Sequence, residues 1–215
     1  MPRNVEIKAS LGSEEVAWQL IHRISAEQQQ EPMIIEQIDT FFRTRNHGRL
    51  KLREFGRDDE YVMRNPDLSD EQRERNRNGA SGRTAELIYY ERSNKREAKL
   101  SEFTAIDIDQ AKELKIVLAS AIGATVVVRK KRHLFLIDCT RVHIDEVDRL
   151  GWFMELEVVM KDCMTVQDGM RIAEDLCNHL GISSDALVAT AYADLILDSH
   201  TAIYAETGVI PPLVL

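Results

Sequence analysis

The stretch RVHIDEVDRLGWFMELEVV, residues 141–159, decides the fold. Two runs rich in Val, Ile, Leu and Phe flank turn residues at Asp148–Arg149 and Leu150–Gly151. In the first run Arg141, His143 and Asp145 share one parity, and Val142 and Ile144 take the other. In the second, Glu155 and Glu157 alternate with Met154, Leu156 and Val158. Residues two apart in a strand point to the same face, roughly 7 Å apart. The stretch therefore predicts two adjacent strands, each with one charged face and one apolar face. NVEIKA, residues 4–9, repeats the pattern with Glu6 and Lys8.

More strands are predicted at IIEQIDTFF (34–42) and GRLKLREF (48–55), with a short turn around Asn46–Gly48. AELIYYERS (85–93), a weaker KLSEFTAIDI (99–108) and ATVVVRKKRHLFLIDCT (124–140) follow. Helices are predicted after Ser13, from Asp107 and Gln110 to Ala121, from Thr165 to near Gly181, and over 185–198. About eight strands, mostly consecutive, and four helices give an α+β fold with a largely antiparallel sheet. Residues 57–84 carry many charges and few apolar groups and read as a mobile insert. The domain is expected over 1–198, with an irregular tail at 199–215.

The charged positions form a set: Glu6 and Lys8; Lys51 and Arg53; Arg92; Lys130 and Arg132; Arg141, His143 and Asp145; Glu155 and Glu157. Each strand keeps them on one parity, although Arg129 and Lys131 charge the second face of their own strand as well. A half-exposed sheet explains any single strand. The recurrence of acids and strong bases on nearly every strand fits a barrel with a polar lumen better. Close carboxylates repel unless a cation lies between them, and oxygen ligands suit Mg²⁺ or Mn²⁺. A ring of Lys and Arg needs a polyanion, and the Arg fork matches phosphate oxygens. Together they predict a site for a metal–polyphosphate ligand.

The 215 residues are 44% hydrophobic and 30% charged, with a net charge of −8. That charge excludes general attraction to nucleic acid. No apolar run approaches the ~20 residues that cross a bilayer, and MPRNVEIK does not read as a signal peptide. Cys139, Cys163 and Cys177 are unclustered, which points to a reducing cytoplasm and away from a thiolate metal site. The expected partner is a small molecule, with no nucleic acid and no membrane, and the chain is expected to be a monomer or homodimer.

NVEIK resembles the E-x-E-x-K signature of the CYTH superfamily, the triphosphate tunnel metalloenzymes. QIDTFF with GRLKLRE, LIYYERS, VHIDEVDRLGWFMELEV and AYADLI are similar to later blocks of that family, in the same order. The resemblance implies an eight-stranded antiparallel barrel with peripheral helices, holding a linear triphosphate and Mg²⁺ or Mn²⁺. It implies metal ligands at Glu6, Asp145, Glu155 and Glu157. It implies phosphate contacts from Lys8, Lys51, Arg53, Arg92, Arg132 and Arg141, with Lys99 and Ser101 matching a further segment. Lys130 joins that set because it shares the face of Arg132. Catalysis is expected to rest on Glu6, Lys8, Asp145 and Glu157. Asn4 stands where the signature has its first Glu.

The chemistry implied is hydrolysis of a triphosphate, inorganic tripolyphosphate first. Thiamine triphosphate and cyclisation of ATP to cyclic AMP are alternatives, as is a binding protein without turnover. His143 has two readings, a general base or a hydrogen-bonded wall residue, and the second is the commoner role.

Overall fold

The computed structural model describes residues 3–45, 48–56, 85–92 and 97–207. The insert expected at 57–84 and most of the turn expected at Asn46–Gly48 lie outside the described residues. Eight strands form: β1 (Arg3–Ser10), β2 (Met33–Phe42), β3 (Arg49–Phe55), β4 (Ala85–Arg92), β5 (Lys99–Ile108), β6 (Ala124–Ile137), β7 (Thr140–Val147) and β8 (Gly151–Val159). They close a barrel in the order β1-β5-β4-β3-β2-β6-β7-β8, and every pairing is antiparallel. Eight strands enclose an interior just wide enough for side chains or one small ligand.

The apolar parity of the strands faces outward, and helices cover it. Helices α1 (Glu14–Gln28) and α3 (Val166–His179) lie over β1, β7 and β8. Leu20, Ile21 and Ile24 of α1 join Val5, Ile7, Val142, Ile144 and Leu156 in one buried cluster. Each such side chain stabilises the fold by about 1.5–3 kcal/mol. Ser13 caps α1, its hydroxyl accepting from the Val16 N–H. Thr165 and Asp168 form a reciprocal capping box on α3. Gly169 lets α3 approach β1, since a Cβ there would stand 2.8 Å from Cγ2 of Val5. Helix α2 (Ala111–Ile122) covers Phe42, Leu52 and Ala85. Gln110 occupies its N-cap without a side-chain bond, so the cap expected from Asp107 and Gln110 does not form.

The last helix, α4, spans Tyr192–Thr207 instead of 185–198, and so occupies part of the tail expected to be irregular. The reason is tertiary. Leu187 bridges to Ala9, and the Val188 N–H donates to the Lys8 carbonyl at 2.8 Å. These bonds to β1 hold residues 187–188 extended, with only a 3-10 turn at Ser184–Ala186 before them. Helix α4 starts inside the barrel end. Tyr192, Ala193 and Ile196 pack on Phe41, Val128, Val147 and Phe153. Cys139 lies in the β6–β7 turn, not in a strand. Among the described residues no helix is long and apolar enough to cross a membrane.

Candidate functional site

The inward parity of the strands lines one cavity of about 340 Å³. That volume suits a small ligand. Glu6, Lys8, Lys51, Arg53, Lys130, Arg132, Arg141, Glu155 and Glu157 all line it, as the alternation predicts, and so does Asn4. Arg129 and Lys131 do not. Among the described residues the lining carries six Lys or Arg and five Asp or Glu. They are sorted in space by strand order. Bases line β3 and β6, acids line β8, and β1 carries one of each, Glu6 and Lys8.

Register builds the acid side. Glu6 stands opposite Glu157 and Lys8 opposite Glu155 across the β1–β8 seam. Across β7–β8, Arg141 stands opposite Glu157 and His143 opposite Glu155. Ligand atoms of His143, Glu155 and Glu157 lie within 4.8 Å of one another. Burial opposes the charge on Glu155, but Lys8, 3.7 Å away, and His143 hold its carboxyl well below the usual range. Burial likewise opposes the charge on Glu157, and His143, Arg132 and Arg141 together hold its carboxyl below the usual range. Lys8 also lies 3.8 Å above the Tyr192 ring and donates to the Thr190 carbonyl at 3.5 Å.

The basic side is braced by two buried acids. Asp39 accepts from Nε and Nη2 of Arg53 at 2.7 and 2.8 Å and from Lys51 at 2.8 Å. Burial opposes its ionisation, yet Arg53 and Lys51 keep it ionised well below the usual carboxylate range. Asp145, fully buried, pairs with Arg132 and lies 3.6 Å from Lys130. Burial and the neighbouring Arg132 push Lys130 down to about 7, against the pull of Asp145. Burial and Asp145 push the Tyr192 hydroxyl well up, and that hydroxyl donates to Asp145 at 3.2 Å.

Two expected residues take other places, and the side chain of a third lies outside the described residues. Asp145 is not among the cavity-lining residues; its two oxygens accept from Arg132. Lys99 is buried, and its ammonium donates to the Ala189 carbonyl at 2.9 Å. Arg92 is placed by its backbone alone, opposite Ser101 in β5. Asp39, Glu86 and Tyr192 line the cavity without having been singled out in the sequence. Asp39 had a signal: it stands opposite Arg53 once β2 and β3 are paired across their turn. Tyr192 had none, because its entry depends on where α4 starts.

The donors fit a divalent cation. The buried carboxylate of Glu155 and the half-buried one of Glu157 converge, and Nδ1 of His143 beside them has no hydrogen-bond partner. The Lys and Arg groups opposite fit a chain of phosphates.

Chains of known structure share this architecture. The PH1012 protein of Pyrococcus horikoshii OT3 matches over 89% of this chain and 98% of its own, at 17% identity and a TM-score of 0.65. A chain of the Schizosaccharomyces pombe Mediator head module matches over 83% and 94%, at 8% identity and a TM-score of 0.54. The Mimivirus capping enzyme triphosphatase matches over 84% and 88%, at 12% identity and a TM-score of 0.50. At such identities the likeness is one of fold. Comparison with curated proteins returns no match. The sequence pattern of the CYTH domain matches residues 2–192, a span holding all eight strands and every lumen charge described above, and the chain belongs to the CYTH domain family.

Proposed function

We propose that this chain is a divalent-metal-dependent triphosphatase whose lumen holds a linear triphosphate, with inorganic tripolyphosphate as the first substrate. The observation that carries this reading is the partition of the barrel cavity. Glu6, Glu155 and Glu157 stand on one side, and Lys51, Arg53, Lys130 and Arg132 on the other. The fold alone does not choose, since it also occurs in the Mediator head module.

Glu6, Glu155 and Glu157 would hold the cation. When bound, Mg²⁺ or Mn²⁺ neutralises phosphate oxygens and polarises the phosphorus under attack. The rest falls to the chain. Arg53 and Arg132 are already aimed by Asp39 and Asp145, so little reorganisation is needed to meet phosphate oxygens. Lys8, between the two sides, is placed to offset charge on the bond that breaks. Water attack on the terminal phosphorus would release phosphate and pyrophosphate. We propose Asp145 as the anchor of Arg132, because its oxygens are engaged there.

A second reading has its own observation. Met33, Ile35, Phe55, Phe103, Leu134 and Leu136 also line the cavity, and a bare polyphosphate has no use for them. They favour a triphosphate that carries an organic group. One assay separates these readings. The protein is incubated with Mg²⁺ or Mn²⁺ and each of tripolyphosphate, thiamine triphosphate and ATP. Phosphate, pyrophosphate and cyclic AMP are then followed. Phosphate from tripolyphosphate, lost on chelation, is the expected result. Pyrophosphate with cyclic AMP means cyclisation, and binding without product means a sensor.

A further inference from the structure

The run Arg129–Lys130–Lys131–Arg132 charges both faces of β6, and the lumen takes only Lys130 and Arg132. Arg129, on the outer parity, lines a second, small cavity of about 20 Å³. That is room for one water-sized group. Three elements meet there: β6 with Val127 and Arg129, the β7–β8 turn with Asp148 and Arg149, and α4 with Ile196 and His200. The last two stand four residues apart on one helix face. The turn is pinned to β6, since the Asp148 N–H donates to the Arg129 carbonyl at 2.9 Å. Nη1 of Arg149 stands 3.5 Å from Nε2 of His200, and its Nε stands 4.0 Å from Asp148. Among the described residues no acid pairs with Arg129.

Two features set this place apart from scattered surface charge. Arg149 has a φ of +68°, in the left-handed region that a side chain with a Cβ disfavours. A two-residue turn takes glycine or asparagine there more easily. Backbone strain of this kind gathers at ligand clamps. Here it carries a guanidinium over to α4. The second feature is the sign of the lining. The chain as a whole carries −8, yet two arginines and a histidine meet one acid around this cavity. Val127 and Ile196 supply an apolar floor beneath them. Guanidinium forks match the edges of a tetrahedral oxyanion. The cavity admits one oxygen of such an anion, and the rest faces solvent. We infer that Arg129, Arg149 and His200 form an outer binding site for a single phosphate group, apart from the lumen. One oxygen would lie between Arg149 and His200, with a second turned to Arg129. Free inorganic phosphate and the end of a phosphate chain share this chemistry. The site does not depend on the reading of the lumen.

The test is an NMR titration of the ¹⁵N-labelled full chain with inorganic phosphate. Divalent metal is left out, and chloride holds the ionic strength. The amide signals of Arg149 and Leu150 and the ring signals of His200 should shift to saturation. Arg149→Gly removes the fork and relieves the left-handed turn. It should melt no lower than the wild type and bind phosphate about fivefold more weakly, the scale of one exposed charge pair. Arg129→Gln, outside the turn, should weaken binding by a similar factor. Arg53→Ala should leave these shifts and their affinity as they are, because Arg53 faces the lumen. Tripolyphosphate moving the same signals more tightly, in Arg53→Ala as well, would name a chain end as the source and keep the site. Shifts that never saturate, or that persist unaltered in Arg149→Gly and Arg129→Gln, would mean an adventitious ion only and overturn the inference. Loss of the shifts in Arg53→Ala would place the phosphate in the lumen and overturn it as well.

Discussion

Arg132 grips Asp145 through two parallel hydrogen bonds, Nε to Oδ1 at 2.6 Å and Nη2 to Oδ2 at 2.7 Å. Both side chains are buried, and Asp145 has no exposure at all. Paired in this way, neither charge is left uncompensated in the barrel wall. Asp145→Asn would strand the guanidinium with only Glu155 near it, at 3.2 Å. The expected cost is about 3–5 kcal/mol. Thermal melting should show it as a large drop, and tripolyphosphate should restore part of the loss by supplying anionic oxygens to Arg132. A variant that melts like the wild type but needs far more Mn²⁺ would show that Asp145 is a metal ligand instead.

Most of the barrel was legible because its two faces differ so sharply. Alternation in NVEIKA, RVHIDEV and GWFMELEVV named the lumen residues of β1, β7 and β8 before any pairing was known, and added Asp145, which pairs with Arg132 and does not line the cavity. It could not say which face was inside, since a wet outer face gives the same period. The resemblance implied a lumen, and the helices over Val5, Val142 and Leu156 show the apolar face to be the outer one. Residues placed by long-range contacts were not legible. Lys99 looks like a phosphate ligand until the segment before α4 brings the Ala189 carbonyl to it. Asp39 was hidden because Glu36 in the same strand takes the opposite parity, and only the β2–β3 register reveals its partners.

Arg53 offers a direct probe of the basic side. Its guanidinium is held by Asp39 and lines the cavity. Arg53→Ala should weaken tripolyphosphate binding by about 1.5–3 kcal/mol, the usual cost of losing a hydrogen bond to a charged group. Calorimetry in Mg²⁺ reads the change. An unaltered affinity would place the phosphates elsewhere.

Lys130 gives the site a pH dependence. It titrates at about 7 in the folded chain, whereas an unfolded lysine keeps its proton to about 10.4. Between those values the unfolded state binds more protons, so this group's contribution to stability rises with pH. Binding runs the other way. A triphosphate favours the charged ammonium, so binding above pH 7 must take up a proton, and affinity must fall as pH rises. Calorimetry at pH 8 in buffers of different ionisation enthalpy should show this uptake. Lys130→Arg, charged throughout, should reduce it. Equal uptake in both proteins would assign the proton to another group.

Asn4 lines the cavity two residues before Glu6, as the strand parity requires. Its neutral amide brings one charge fewer than a carboxylate would. Asn4→Glu should lower the Mn²⁺ concentration that gives half-maximal activity. It should also lower the melting temperature of the metal-free protein, because the new carboxylate repels Glu6 and Glu157. Mn²⁺ should restore that stability. If neither curve moves, position 4 does not reach the cation.

The most direct test of the account is diffraction from crystals grown with Mn²⁺ and tripolyphosphate, with data collected at the manganese edge. An anomalous peak should fall between Glu155 and Glu157 on the Glu6 side of the lumen, with phosphates running from it towards Arg53 and Arg132. An empty lumen, with phosphate bound instead on the outer face at Arg129 and Lys131, would contradict the account.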